Sequence, residues 1–136
     1  MYPVEMTAPM AQELENAGFK SLKTSEEVKA ALDQSGTALI VVNSVCGCAA
    51  ANARPGVRMA TKHGKIPNQL LTVFAGVDRQ AVETAREYML PYPPSSPSIA
   101  LMKDGEMKFI LERHNIEGRS AEMISQDLVT AFETYC

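Results

Sequence analysis

Apolar residues along this chain fall into two continuous runs and several helical stripes, and that contrast assigns most of the elements. Thr37-Ala38-Leu39-Ile40-Val41-Val42-Asn43 is almost wholly aliphatic and β-branched, as a strand buried on both faces requires, and Leu70 to Ala75 repeats the pattern. Ahead of the first run, residues 7–17 predict a helix with Pro9 in its first turn and Gly18 at its C-cap. A second helix begins at Thr24, whose Glu27 three residues on completes a capping box, and ends before Gly36 with Val28, Ala31 and Leu32 as its apolar stripe. These two helices are expected to form an N-terminal layer over the sheet edge.

Ala49 to Lys62 is rich in helix formers, but Pro55 lacks an amide hydrogen and should kink or divide that helix. Arg79 to Met89 carries Val82, Ala85 and Met89 at helical spacing. Strand, helix, strand, helix in this order implies a right-handed parallel unit. The proline-dense stretch Leu90-Pro91-Tyr92-Pro93-Pro94-Ser95-Ser96-Pro97-Ser98 excludes helix and central strand. Ile99 to Lys103 and Glu106 to Glu112 flank Asp104-Gly105, a strong hairpin signal. Ser120 caps a closing helix through about Phe132, with Met123, Ile124, Leu128, Val129 and Phe132 as the expected buried face.

At 136 residues and 46% hydrophobic composition the chain reads as one domain, 1–136, able to build its own core. A net charge of -3 gives no electrostatic reason to expect nucleic acid or an anionic membrane as partner. No apolar run is long enough to cross a bilayer, and Met1 to Met6 lacks a basic region followed by an apolar core, so the cytoplasm is the expected compartment. In that compartment three cysteines favour catalytic, redox or metal chemistry over a disulfide framework.

Two of the three, Cys46 and Cys48, flank Gly47 at the junction between the first buried strand and the Pro55 helix. A single cysteine there would pass as a small core residue; a pair around a glycine points to thiol–disulfide chemistry. The first turn of a helix stabilises the thiolate, the nucleophilic form, through its unpaired amide hydrogens and the helix dipole, so a lowered Cys46 pKa is expected. Gly47 leaves Cys46 sterically open and gives the backbone freedom to close so short a ring, whose disulfide should be strained and easily transferred.

The string Val41-Val42-Asn43-Ser44-Val45-Cys46-Gly47-Cys48-Ala49-Ala50, with Ala53-Arg54-Pro55, Pro94-Ser95-Ser96-Pro97-Ser98, Ala17-Gly18-Phe19 and Tyr135-Cys136, closely resembles the bacilliredoxin family over essentially the whole chain. The resemblance implies an α/β, thioredoxin-like three-layer fold with a central mixed sheet and an N-terminal helical extension at 1–36. It also implies an oxidoreductase that removes bacillithiol from S-bacillithiolated proteins, with Cys46 attacking and Cys48 resolving. Bacillithiol is then a co-substrate and no cofactor or metal is needed. By the same resemblance Pro97 follows a cis Ser96–Pro97 bond facing the cysteines, and Ser96, Pro97 and Gly47 position the substrate, while Pro55 is a structural kink.

Other readings stay open on the residues alone. A strained dithiol could isomerise protein disulfides, or the thiols could serve a redox-sensing or metal-binding module. His63 and His114 lack paired-ligand spacing and read as surface residues. Arg54 and Arg58, one helical turn apart, either attract the carboxylates of a small thiol or form a solvated face. Cys136 reads as an incidental terminal thiol, with a resolving or regulatory role as the alternative, and the eight methionines as core filler.

Overall fold

The computed structural model describes residues 2–136. Its centre is a five-stranded mixed sheet in the order β1-β3-β2-β4-β5. The strands are β1 (Lys20–Ser21), β2 (Thr37–Asn43), β3 (Gln69–Phe74), β4 (Ser98–Lys103) and β5 (Glu106–Leu111). Strand β2 lies in the middle, parallel to β3 and antiparallel to β4, and every one of its residues is buried, as its continuous apolar run requires. The β4–β5 hairpin turns on Asp104 and Gly105, both at positive φ (53° and 83°), which is the geometry an Asp-Gly two-residue turn provides.

Alternation along β2 sends side chains to two cores. Leu39 and Val41 meet α1 (Val4–Glu15), α3 (Arg54–Ala60) and α6 (Ala121–Tyr135) through Leu14, Val57, Ile124, Leu128 and Phe132. Ala38, Ile40 and Val42 meet α2 (Ser25–Leu32) and α4 (Arg79–Glu87) through Val28, Leu32, Ala81 and Ala85. The result is helices, sheet, helices.

The N-terminal helices therefore do not share a layer. Strand β1, which the sequence pattern did not predict, pairs with β3 at the sheet edge and carries the chain from one face to the other. Helix α1 also begins at Val4 rather than near Thr7, so Pro9 sits in its interior. Helix α2 matches expectation, with Thr24 Oγ1 accepting from the Glu27 amide and Glu27 returning the bond. In α6 Met123 is 49% exposed, and the buried face is completed instead by Ser125 and Ala131.

The Pro55 helix is divided as expected. Residues Ala49–Ala53 wind as a π-helix, closed by the Arg54 amide donating to the Ala49 carbonyl, and an α-helix follows from Arg54. A proline ring collides with the carbonyl four residues back, and the wider turn just upstream of Pro55 is where the chain accommodates it. Gly56 then lets α3 lie directly on α6, since a Cβ there would stand 2.8 Å from Ile124 Cγ2.

Candidate active site

Three strand ends deliver side chains to one end of the sheet. From β2 the chain leaves through Asn43, Ser44 and Val45 to Cys46, where helical structure begins at Gly47. The Cys46 carbonyl accepts from the Ala49 and Ala50 amides at 3.0 and 3.2 Å, which places Cys46 at the N-cap. Its own amide donates to Ser44 Oγ at 3.1 Å. Cys46 and Cys48 are joined as a disulfide across a Cα separation of 5.4 Å, both half-buried. Gly47 between them is exposed, has no positive φ, and has nothing within 4 Å of where a Cβ would lie. Its contribution is an open approach to the sulfur atoms.

A buried arginine holds this turn from below. Arg54 is 2% exposed; its Nε donates to Glu13 Oε2 at 2.8 Å, and its Nη1 to Asn43 Oδ1 at 3.0 Å and to the Ser44 carbonyl at 2.8 Å. Asn43 Oδ1 also accepts from the Ser44 amide, and its Nδ2 donates to the Met10 carbonyl. The reading of Arg54 as a solvated face or a free carboxylate receptor is overturned, because α1 packs over this side and brings Glu13. Arg58 remains half-exposed at 3.9 Å from Glu13 Oε1. A polar asparagine closing an otherwise apolar buried strand was the one sequence signal of this network.

The second contribution comes from the proline loop. Both Leu90–Pro91 and Ser96–Pro97 are cis. Ser98 pairs with Val42, so Pro97 falls opposite Asn43, at the end of the sheet where the cysteine turn departs. Pro97 is buried and Ser96 half-buried.

The third comes after β5, from a short helix, α5 (Arg113–Ile116), that the sequence reading missed. The Arg113 amide donates to Ser95 Oγ at 3.3 Å and its Nη1 to the Ser96 carbonyl at 3.2 Å. Beyond α5, the Arg119 carbonyl accepts from Asn52 Nδ2 on the cysteine helix, tying the loop to the same site. Arg119 itself pairs with Asp127, which raises its already high pKa.

Other candidates lie elsewhere. His63 pairs with Glu133 at 2.5 Å, so the C-terminal half of α6 meets the far end of the cysteine helix. Cys136 lies three residues past Glu133, hence on the order of 20 Å from Cys46 at 1.5 Å of rise per helical residue. At that separation Cys136 is out of bonding reach of Cys46 within one chain. His114 is exposed, 3.8 Å from Glu112 Oε1. Among the described residues no group of three or more His, Cys, Asp and Glu side chains is placed to hold a metal ion, and no helix is long and apolar enough to cross a membrane.

Solved structures share this architecture. Thioredoxin of Fasciola hepatica superposes with a TM-score of 0.58 at 14% identity, covering 84% of this chain and 99% of its own. Reduced thioredoxin pre-protein of Schistosoma mansoni gives 0.56 at 19% identity, with 82% and 95% covered. A half-exposed Cys-Gly-Cys disulfide capping the helix after the central strand of this fold defines a thiol–disulfide oxidoreductase of the thioredoxin class.

The family described as "Disulphide isomerase" matches residues 2–136. A bacilliredoxin of Cytophaga hutchinsonii is 58% identical over 133 residues, covering 98% of this chain and 98% of the relative. One of Salinibacter ruber is 52% identical, with 99% and 81% covered, and one of Staphylococcus saprophyticus 43% identical, with 100% and 94% covered. The chain belongs to the bacilliredoxin family.

Proposed function

We propose that this oxidoreductase removes bacillithiol from S-bacillithiolated cytoplasmic proteins, with Cys46 as nucleophile and Cys48 as resolving thiol. The observation that carries the assignment of roles is the position of Cys46 at the helix N-cap, where the terminal amides and the dipole favour its thiolate. In the first step the Cys46 thiolate attacks the bacillithiol sulfur of the mixed disulfide. The client leaves as a thiolate, and bacillithiol remains disulfide-bonded to Cys46. In the second step the Cys48 thiolate attacks Cys46 Sγ, bacillithiol leaves as its thiolate, and the Cys46–Cys48 disulfide forms. A separate thiol reductant supplies two electrons to restore the dithiol. Gly47 keeps the approach open, and the loop at Ser96 and Pro97, at the same end of the sheet, positions the incoming mixed disulfide.

Intact-mass analysis after incubation with a bacillithiolated protein tests these roles. The reduced wild type should free the client thiol and end as the internal disulfide, Cys48→Ala should retain bacillithiol on residue 46, and Cys46→Ala should do neither. The family description favours a second reading, disulfide isomerisation. That reading prevails if the wild type restores activity to a protein with scrambled disulfides while no variant takes up bacillithiol.

A further inference from the structure

Arg113 occupies the backbone edge beside Pro97 in a way the two-step chemistry does not use. A substrate strand pairing alongside Ser96 and Pro97 would need the Ser96 carbonyl as an acceptor, and that carbonyl already receives Arg113 Nη1 at 3.2 Å. The Arg113 amide, bonded to Ser95 Oγ, anchors the residue to the same loop. Its Nε donates to Glu117 Oε1 at 2.6 Å in a surface pair one helical turn long, with 45% and 53% of the two side chains exposed. A guanidinium carries five N–H donors, and among the described residues two are engaged here, which leaves a half-exposed cation with donors to spare. Of the other arginines at this end of the sheet, Arg54 is spent on Glu13, Asn43 and Ser44, and Arg119 on Asp127 and the Asn115 carbonyl.

We infer that Arg113 is a specificity residue that receives a carboxylate of the low-molecular-weight thiol half of the mixed disulfide, the half that Cys46 attacks. The inference rests on the removal of a small thiol by disulfide exchange, proposed above, being the reaction, and adds which small thiols are accepted. A guanidinium binds a carboxylate through two parallel hydrogen bonds, a match that no neutral thiol offers. By covering the Ser96 carbonyl, the same side chain disfavours an extended peptide at that edge. The site is thus biased toward anionic small thiols over protein segments.

The test compares one client protein carrying either mercaptopropionate or its uncharged near-isostere mercaptopropionamide as the mixed disulfide. For Arg113→Gln, KM for the carboxylate adduct should rise about tenfold with kcat unchanged, the scale of one charge-assisted contact. The amide adduct should be cleared as by the wild type, and Arg113→Lys should recover part of the preference. Equal losses on both adducts would mean that Arg113 only braces the loop, and no change on either would leave it without a role; each result overturns the inference while leaving the proposed reaction standing. If the wild type clears neither adduct yet removes bacillithiol from the same client, the inference alone fails; if it removes none of the three, the proposed reaction fails and the inference with it.

Discussion

Alanine at Gly56 should destabilise this protein, although glycine-to-alanine changes in helix interiors normally gain about 1 kcal/mol. The added Cβ would stand 2.8 Å from Ile124 Cγ2, 2.9 Å from Ile124 Cβ and 3.1 Å from the Ala121 carbonyl oxygen. Carbon atoms prefer roughly 3.5–4.0 Å, so α3 and α6 would have to separate by several tenths of an ångström at least. Two of the three obstructing atoms are backbone or next to it, and no rotamer change moves them aside. Overpacking of this kind costs about 1–3 kcal/mol, and the upper half of that range less the propensity gain leaves a net loss of about 1–2 kcal/mol. In urea the midpoint should fall with the slope unchanged, and the melting temperature should drop by roughly 3–8 °C. Gly64→Ala is the control, because nothing lies within 4 Å of its Cβ position, and its effect should stay within about 0.5 kcal/mol. A Gly56→Ala protein as stable as the wild type or more so would refute the claim that this glycine sets the α3–α6 spacing.

Arg54→Met should cost about 2–4 kcal/mol in urea unfolding, because the buried Ser44 carbonyl loses its donor while Glu13, partly exposed, can hydrate. Thr24→Ala should cost about 1 kcal/mol by removing the α2 cap. The Lys23 amide, with that of Thr24, holds the Glu27 carboxyl below its ordinary 4.5, so its stabilisation is present above that pH and is lost as pH falls through the lowered value. The stability difference between wild type and Glu27→Gln should accordingly shrink in acid titrations. Burial, and then the bond its hydroxyl donates to Asp33, pushes Tyr88 from 10.0 up to about 12. Its contribution is whole below pH 10.0 and fades as pH rises toward 12, and ultraviolet titration should show this tyrosine ionising late, with Asp33→Asn bringing it back part of the way.

The elements that local chemistry alone determines were legible in the sequence. The β2 and β3 runs, the Thr24 capping box, the Asp104-Gly105 hairpin and the break at Pro55 each need only neighbouring residues, and each is present. Features made by distant contacts were not. Lys20 and Ser21 carry no strand pattern and become β1 only because β3 offers an edge. Arg54 reads as a surface residue until α1 folds over it with Glu13. Met123 falls at a position with core-like spacing, yet α6 meets α3 through Ile124 at Gly56, and this leaves Met123 outside the contact. At the site the cysteine pair stood out by itself, and the cis bond at Pro97 entered only through the family resemblance. Arg113 reaches the site through an antiparallel hairpin whose far strand ends beside Ser96, a placement no local pattern encodes.

The distance between Cys136 and the cysteine turn has a consequence for the enzyme's own upkeep. Cys136 is partly accessible and is free of any disulfide, so oxidising conditions that modify clients can modify it as well. The His63–Glu133 pair ties the C-terminal half of α6 to the far end of the cysteine helix, which keeps Cys136 away from Cys46 of the same chain. If Cys46 clears small-thiol adducts as proposed, one captured at Cys136 is out of reach of the same chain and falls to a second molecule. Under that activity each copy would be a client of the others, and the rate at which the population clears such adducts should scale with protein concentration.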